Sequence, residues 1–348
     1  MKSKWQSLST SDQIAALENV AHRHRISSLA VEKDWWVTSI LQALSQTRVG
    51  KALLFKGGTS LSKGWNLIER FSEDIDLSID RTFFLEELGC PFARCENNNQ
   101  IKSLRKASRD FIHDELSKEL NTRLTDMGIT GFKLENVIMR ETDQGLAAID
   151  HDSDPTVIFV HYDTILQSAE QIDIDHKVKI EISCLSMSEP FEVKHITSLI
   201  GDILPEADET YCNIRTVTPT RTFIEKVLLL NEELQKNRPR SRRMSRHLYD
   251  IDRLYHSEYG LQAINDLDLF KAIVEHRRKF YHLGYVDYNL DYPENIHFCP
   301  EGEMLELFKN DYNRNMVSNF IYGEALPFET LMETLRKLQS VIRNMEGK

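Results

Sequence analysis

The stretch Phe55-Lys56-Gly57-Gly58-Thr59-Ser60 is followed, sixteen residues after Gly58, by Asp74-Ile75-Asp76. A short apolar strand over residues 51–55 leads into a turn of small residues that suits a phosphate. Gly57 and Gly58 let the backbone approach a triphosphate closely. Thr59 and Ser60 can start a helix, read over residues 61–68, whose first N–H groups favour an anion. The spacing predicts a second strand over residues 74–80. Side chains alternate along a strand, so Asp74 and Asp76 point one way while Ile75, Leu77 and Ile79 point the other. Two hard oxygen ligands on one face can hold Mg²⁺, with Mn²⁺ able to substitute, when a phosphate substrate supplies further oxygens. The plainer alternative is a surface strand after an ordinary glycine turn. The order glycine turn, short helix, Asp-Ile-Asp strand favours the nucleotide reading over that one.

Composition narrows the class. A chain of 348 residues with 41% hydrophobic and 28% charged residues reads as an ordinary globular protein. No apolar run approaches a membrane span. The segment MKSKWQSLSTSDQ carries no apolar core of a secretory signal. Five scattered cysteines suit a reducing compartment and suggest neither a disulfide framework nor a zinc site. These features predict a cytoplasmic protein with no membrane partner. The twelve histidines, His22, His24 and His151 among them, lack metal-ligand clustering and read as solvated or structural. A net charge of −11 argues against general coating of nucleic acid. Residues 236–247, KNRPRSRRMSRH, nevertheless hold six Lys or Arg and no acid. This block is either a solvated loop or an anion-binding track.

Hydrophobic periodicity predicts helices over 12–25, 28–45 and 101–127, with Leu29, Trp36, Ile40 and Leu44 striping the second. Residues 90–100 read as a polar loop. Strands are expected over 131–140, 156–162 and 177–184, the last alternating Val178, Ile180, Ile182 and Cys184 with Lys179, Glu181 and Ser183. After Pro219 the pattern is helical, over 222–236, 245–256, 266–279, 303–315 and 327–345. The fold class read from this order is α/β (α+β), with an N-terminal catalytic domain over 1–217 and a helical C-terminal domain over 218–348.

Three further residues bear on chemistry. Glu181 lies on the polar face of its strand, either solvated or, if that strand neighbours the Asp74–Asp76 strand, a third carboxylate. Crowded acids raise one another's pKa unless a cation intervenes, and a divalent ion would resolve the conflict. Lys226 stands on the apolar stripe of Phe223, Val227, Leu230 and Leu234, so it needs an anion: a triphosphate, or Glu225 or another carboxylate. Asp250 can be a general base or can orient a basic side chain, while Asp252 reads as solvated.

With these residues assembled, the chain resembles the AbiEii/AbiGii-like nucleotidyltransferase toxins, which include the MenT group of bacterial toxins. The matching stretches are Glu32-Lys33-Asp34-Trp35-Trp36, Lys56-Gly57-Gly58-Thr59-Ser60-Leu61 and Phe71-Ser72-Glu73-Asp74-Ile75-Asp76-Leu77. Thr222-Phe223-Ile224-Glu225-Lys226, Ser245-Arg246-His247-Leu248-Tyr249-Asp250 and Tyr312-Asn313-Arg314-Asn315-Met316 follow in order. Most of the chain is covered, residues 83–128 least well. The resemblance implies a DNA polymerase β-like nucleotidyltransferase domain with a mixed sheet. It implies Mg²⁺-dependent transfer of NMP from an NTP, a tRNA 3′ end among the acceptors, and a cognate antitoxin. By the same resemblance Gly58 and Ser60 hold phosphate, Asp74 and Asp76 bind metal, Lys226 binds triphosphate, and Asp250 is the last motif's acid.

The mechanism expected is in-line displacement at the α-phosphorus. Charge stabilisation and alignment do most of the work in such transfers. An RNA acceptor would run along Arg238, Arg240, Arg242, Arg243 and Arg246. A protein hydroxyl as acceptor, a nucleotide-binding module without turnover, and a structural interaction protein are the rival readings. The presence of both Asp74 and Asp76 argues against the binding module, and a structural interaction protein leaves the carboxylate patch unexplained.

Overall fold

A computed structural model describes residues 3–142, 145–166 and 175–345. The chain divides into two compact units. The first comprises Met1–Gly64 and Glu73–Thr216, the second Trp65–Ser72 and Val217–Lys348.

The first unit is built on a seven-stranded sheet. Its strands are β1 (Leu53–Lys56), β2 (Ile75–Ile79), β3 (Phe132–Asn136), β6 (Thr156–Tyr162), β7 (Lys177–Ser183), β8 (Phe191–Thr197) and β9 (Tyr211–Val217). β4 (Met139–Thr142) and β5 (Gly145–Ala148) form a separate hairpin. The order across the sheet is β3-β6-β7-β2-β1-β9-β8. β1 runs antiparallel to β2, whereas β2–β7 and β1–β9 are parallel, so the sheet is mixed. The alternation expected in β7 is present: Val178, Ile180 and Ile182 are buried in the core. Residues 131–140, read as one strand, instead divide between β3 and β4. β8 and β9 lie in a stretch the periodicity leaves unassigned. β8 has a mostly half-exposed or exposed pattern that gives little hydrophobic signal.

The helix Ser28–Ser45 packs on β7. Ser27 caps it by accepting the Ala30 N–H. It is buried on nearly all sides, and its charged residues are inside because each has a partner. Glu32 accepts from the Thr164 hydroxyl and the Ile165 N–H at 2.6 and 2.9 Å. Lys33 meets Glu73 at 2.8 Å. Asp34 meets Lys63 and accepts the Leu199 N–H, and the Trp35 ring N–H donates to Asp208.

The second unit is helical: Pro219–Leu234, Ser245–Tyr255, Glu258–Ala263, Leu267–Phe280, Gly302–Asp311 and Phe328–Arg343. The residues just before the carboxylate strand belong to it. Trp65 donates its ring N–H to the Val217 carbonyl. The Phe71 N–H donates to Phe320, and Arg70 bridges to Ile321 in a short antiparallel contact. A division of the sequence at 217 has no counterpart to this eight-residue excursion.

Candidate active site

In the first unit, β2 sits between β1 and β7. Asp76 is therefore in register with Lys56 on one side and Glu181 on the other. Cross-strand partners share a face, so all three side chains rise from the same surface. The conditional expectation for Glu181 is met in its geometry: the strands are neighbours, and the carboxyls of Asp76 and Glu181 hydrogen-bond to each other. Burial first, then repulsion from Glu181 and Asp74, pushes the Asp76 pKa up to about 6. Burial works to raise Glu181 too, but Lys179, 2.5 Å away, outweighs it and holds Glu181 below its ordinary value.

Asp74 departs from the expected picture. β2 begins at Ile75, so Asp74 lies just ahead of the strand and not on it. Its main-chain oxygen accepts the Thr59 hydroxyl. Among the described residues no group of three His, Cys, Asp or Glu is assembled to hold a metal. The three-carboxylate patch is thus a touching pair, Asp76 and Glu181, with Asp74 close enough to repel Asp76. The donor set suits a hard divalent cation, since two carboxyls that must share a proton would each gain by facing one.

The glycine turn is also revised. The helix starts at Gly57 itself and ends at Lys63, not over 61–68. Gly57 has φ +77°, and a Cβ there would lie 2.0 Å from the Asp76 Oδ2. Its lack of a side chain is required by the carboxylate it passes. Gly58 is half-buried in the first turn. Thr59 and Ser60 are buried, and their hydroxyls turn to main-chain oxygens, Thr59 to Asp74 and Ser60 to Gly57 at 2.9 Å. Both hydroxyls are thus used within the turn, while the first backbone N–H groups of the helix have no partner within the helix itself.

Two residues of this surface were missed. Lys56 lowers the pKa of Asp76, Glu181 and Asp154, so one ammonium serves three acids. Its signal was a lone lysine ending a buried strand, directly before the glycines. Asp154 accepts from the Ser183 hydroxyl at 2.6 Å and the Cys184 N–H at 2.9 Å. No local pattern marks it.

The second unit holds a cationic cluster. Asp250 is fully buried. It receives Arg70 in a two-pronged contact, Nε and Nη2 each at 2.7 Å, and Lys226 at 2.8 Å. Burial opposes its ionisation, yet Arg70 and Lys226 hold the carboxyl well below the usual range. Of the two expected roles, the geometry is that of a carboxylate holding two basic side chains. The anion that Lys226 meets is Asp250, whereas Glu225 pairs with Arg221 at 2.9 Å. Burial, with Arg70 and Arg246 nearby, lowers the Lys226 pKa against the pull of Asp250. Burial and the same cations keep His247 neutral. Among these five side chains, three positive charges surround one negative charge.

The basic block is less bare than its sequence. Glu233, one turn earlier, meets Lys236 at 2.7 Å and Arg240 at 2.8 Å. Asp311 pins the loop by accepting the Arg243 N–H at 2.7 Å, and the Arg243 guanidinium lies over the Phe320 ring. Arg238, Arg242 and Arg243 are exposed, and Arg246 is half-buried. Asp252 is buried, not solvated.

A nucleotidyltransferase is what these motifs describe. The family model for the nucleotidyl transferase AbiEii toxin of type IV toxin–antitoxin systems matches residues 39–334, and the chain belongs to that family. It is a nucleotidyltransferase enzyme. No curated protein matches the chain. Among solved structures, MenT4, the nucleotidyltransferase toxin Rv2826c from Mycobacterium tuberculosis H37Rv, is similar at 14% identity and a TM-score of 0.42. The match covers 98% of this chain and all of that one. Among the described residues, no helix is long and apolar enough to cross a membrane.

Proposed function

We propose that this toxin transfers NMP from an NTP to an RNA acceptor, a tRNA 3′ end, and releases pyrophosphate. The single observation that carries the reading is the contact of Asp76 with Glu181 beside Lys56 and the Gly57 turn. Paired acids on one sheet face, next to an open helix start, suit a cation and a polyphosphate together. Asp74 and Asp76, with Glu181, would hold Mg²⁺ or Mn²⁺, which when bound polarises phosphate oxygens and favours the attacking hydroxyl. Gly57 keeps the backbone clear of Asp76. Thr59 fixes Asp74 through its main-chain oxygen. Backbone N–H groups near Gly58 and Ser60 bind phosphate. In the second unit Lys226, with Arg70 and Arg246, is assigned to phosphate charge, and Asp250 keeps Arg70 and Lys226 oriented. Arg238, Arg240, Arg242, Arg243 and Arg246 are assigned to the RNA backbone. The protein acts in the cytoplasm, where NTP and RNA occur, and a cognate antitoxin is its partner.

The test is incubation of the purified protein with each α-³²P NTP, a divalent metal, and total RNA or total protein, resolved on one gel. Label in RNA of tRNA size supports the proposal. Label confined to protein moves the acceptor to a protein hydroxyl. No label with any NTP, under conditions where the protein is folded, rejects transfer.

A further inference from the structure

None of Glu32, Lys33, Asp34, Trp35 or Trp36 takes part in the transfer chemistry, although this stretch carries part of the family resemblance. It lies on the helix Ser28–Ser45, and its tryptophans fix that helix against the sheet and its surroundings. Trp36 stacks on Tyr162 of β6 with ring centroids 5.0 Å apart, and the Trp35 ring N–H donates to Asp208 at 3.2 Å. Lys33 and Asp34 are both buried and reach two different segments of the candidate site. Lys33 donates to Glu73 at 2.8 Å and to the Asp175 carbonyl at 3.1 Å. Glu73 directly precedes Asp74. Asp34 meets Lys63, the last residue of the helix Gly57–Lys63. That helix carries Thr59, whose hydroxyl donates to the Asp74 main-chain oxygen.

Asp74 needs support of this kind. The pairing of β2 with β7 begins at Ile75 opposite Ile180, and its pairing with β1 ends at Asp76 opposite Lys56. Strand pairing therefore sets Asp76 but not Asp74, and residues 71–74 belong to no helix or strand. A carboxylate on an irregular segment samples many directions unless neighbouring side chains pin its backbone, and the order needed to bind a cation then opposes binding. Two consecutive residues of one packed helix supply the pins. Lys33 holds the residue before Asp74, and Asp34 holds the helix whose Thr59 grips the Asp74 main chain.

The Lys33–Glu73 pair is a costly way to gain stability alone. Their side chains are 3% and 13% exposed, and desolvation of two charges largely offsets their attraction, so apolar residues of like size would serve a core as well. We propose that Lys33 and Glu73 are positioning residues that hold Asp74 towards Asp76 for a divalent cation, with Asp34 and Thr59 securing the same turn through the helix Gly57–Lys63. This role presupposes that Asp74 and Asp76 bind a metal, as proposed above.

Mn²⁺ alone, titrated into the full-length protein and followed by the EPR signal of the free ion, tests this without any transfer reaction. Wild type should bind Mn²⁺ saturably, and Asp76→Asn should bind it far more weakly. Lys33→Met combined with Glu73→Leu removes one charge of each sign, so the local net charge is unchanged and no buried charge is left alone. This double variant should bind Mn²⁺ about tenfold more weakly or worse, the usual effect of losing groups that orient a metal's ligands. Its metal-free thermal midpoint should stay near that of wild type. Lys33→Met alone is the second variant, and it keeps the test decisive if the double variant does not fold. Loss of a positive charge by itself would tighten cation binding, so weaker binding by Lys33→Met reports lost positioning. Wild-type or tighter Mn²⁺ binding in the folded variants, with Asp76→Asn still impaired, would overturn the positioning role and leave the metal site standing. No saturable binding by wild type, or equal binding by Asp76→Asn, would overturn the metal reading and this role with it.

Discussion

Asp76 and Gly57 constrain each other. The carboxylate occupies the space a Cβ would take, and Gly57 adopts a left-handed φ besides. Gly57→Ala should therefore destabilise the protein by about 1–3 kcal/mol, from strain at a positive φ and displacement of Asp76. A urea midpoint equal to wild type would contradict the close approach. Asp76→Asn keeps the volume and removes a charge that repels Glu181 and Asp74. It should lower NMP transfer ~10²-fold or more, as loss of an electrostatic stabiliser does. Its thermal midpoint should stay at or above that of the metal-free wild type. Transfer within tenfold of wild type (about 1.4 kcal/mol) would remove Asp76 from the chemistry. At this scale Asp76 and the glycines were legible as candidates, because residue type and spacing mark them, whereas Glu181 joined them only on the condition that its strand lies beside β2. Lys56 and Asp154 were not: a single lysine or aspartate carries no period, and its role depends on who stands opposite.

The helices Pro219–Leu234 and Ser245–Tyr255 are joined through Lys226 and Asp250. Removing the shared carboxylate leaves two buried cations facing each other, whereas removing Lys226 leaves the Arg70–Asp250 pair whole. Asp250→Ala should thus cost about 3–5 kcal/mol, and Lys226→Met clearly less. Chemical denaturation of both variants checks the order, and the reverse order would refute this account of the cluster. The loop between these helices carries a separate prediction. Glu233 offsets Lys236 and Arg240, so if the acceptor is RNA as proposed, the charge left for its backbone lies mainly in exposed Arg238 and Arg242. Replacing both by Gln should raise KM for RNA and flatten its salt dependence by roughly one unit per lost phosphate contact. An unchanged slope would place RNA elsewhere. The helices themselves were legible from their stripes. Their ion pairs were not, since Lys226 on an apolar stripe demands an anion without naming which one.

Across the whole molecule, buried charge sets how stability responds to pH. Asp291 is fully buried, hydrogen-bonded to Asn231 and close to Glu232, which itself grips Arg277. Burial and Glu232 push its pKa up to about 7. A folded-state pKa above the unfolded value means its contribution is full below the ordinary carboxylate range and is lost as pH rises through about 7. Asp250 has the opposite sign: its contribution is present above that range and is lost as pH falls. Asp291→Asn should therefore gain in thermal midpoint over wild type as pH goes from 5 to 8, and parallel curves would refute the assignment. The amino-acid sequence alone determined most element types, though not β8 and β9, and the α/β-then-helical order, and it marked the Gly57–Asp76 region as the candidate site. Burial on one face imposes a period, and a period can be read locally. Only the tertiary structure decided that β7 lies beside β2, that β9 inserts next to β1, and that Arg70 reaches Asp250 across 180 residues of chain. Strand pairing is made by backbone groups that every residue shares, and a buried charge needs only a partner of opposite sign. Neither leaves a local pattern from which the partner can be told.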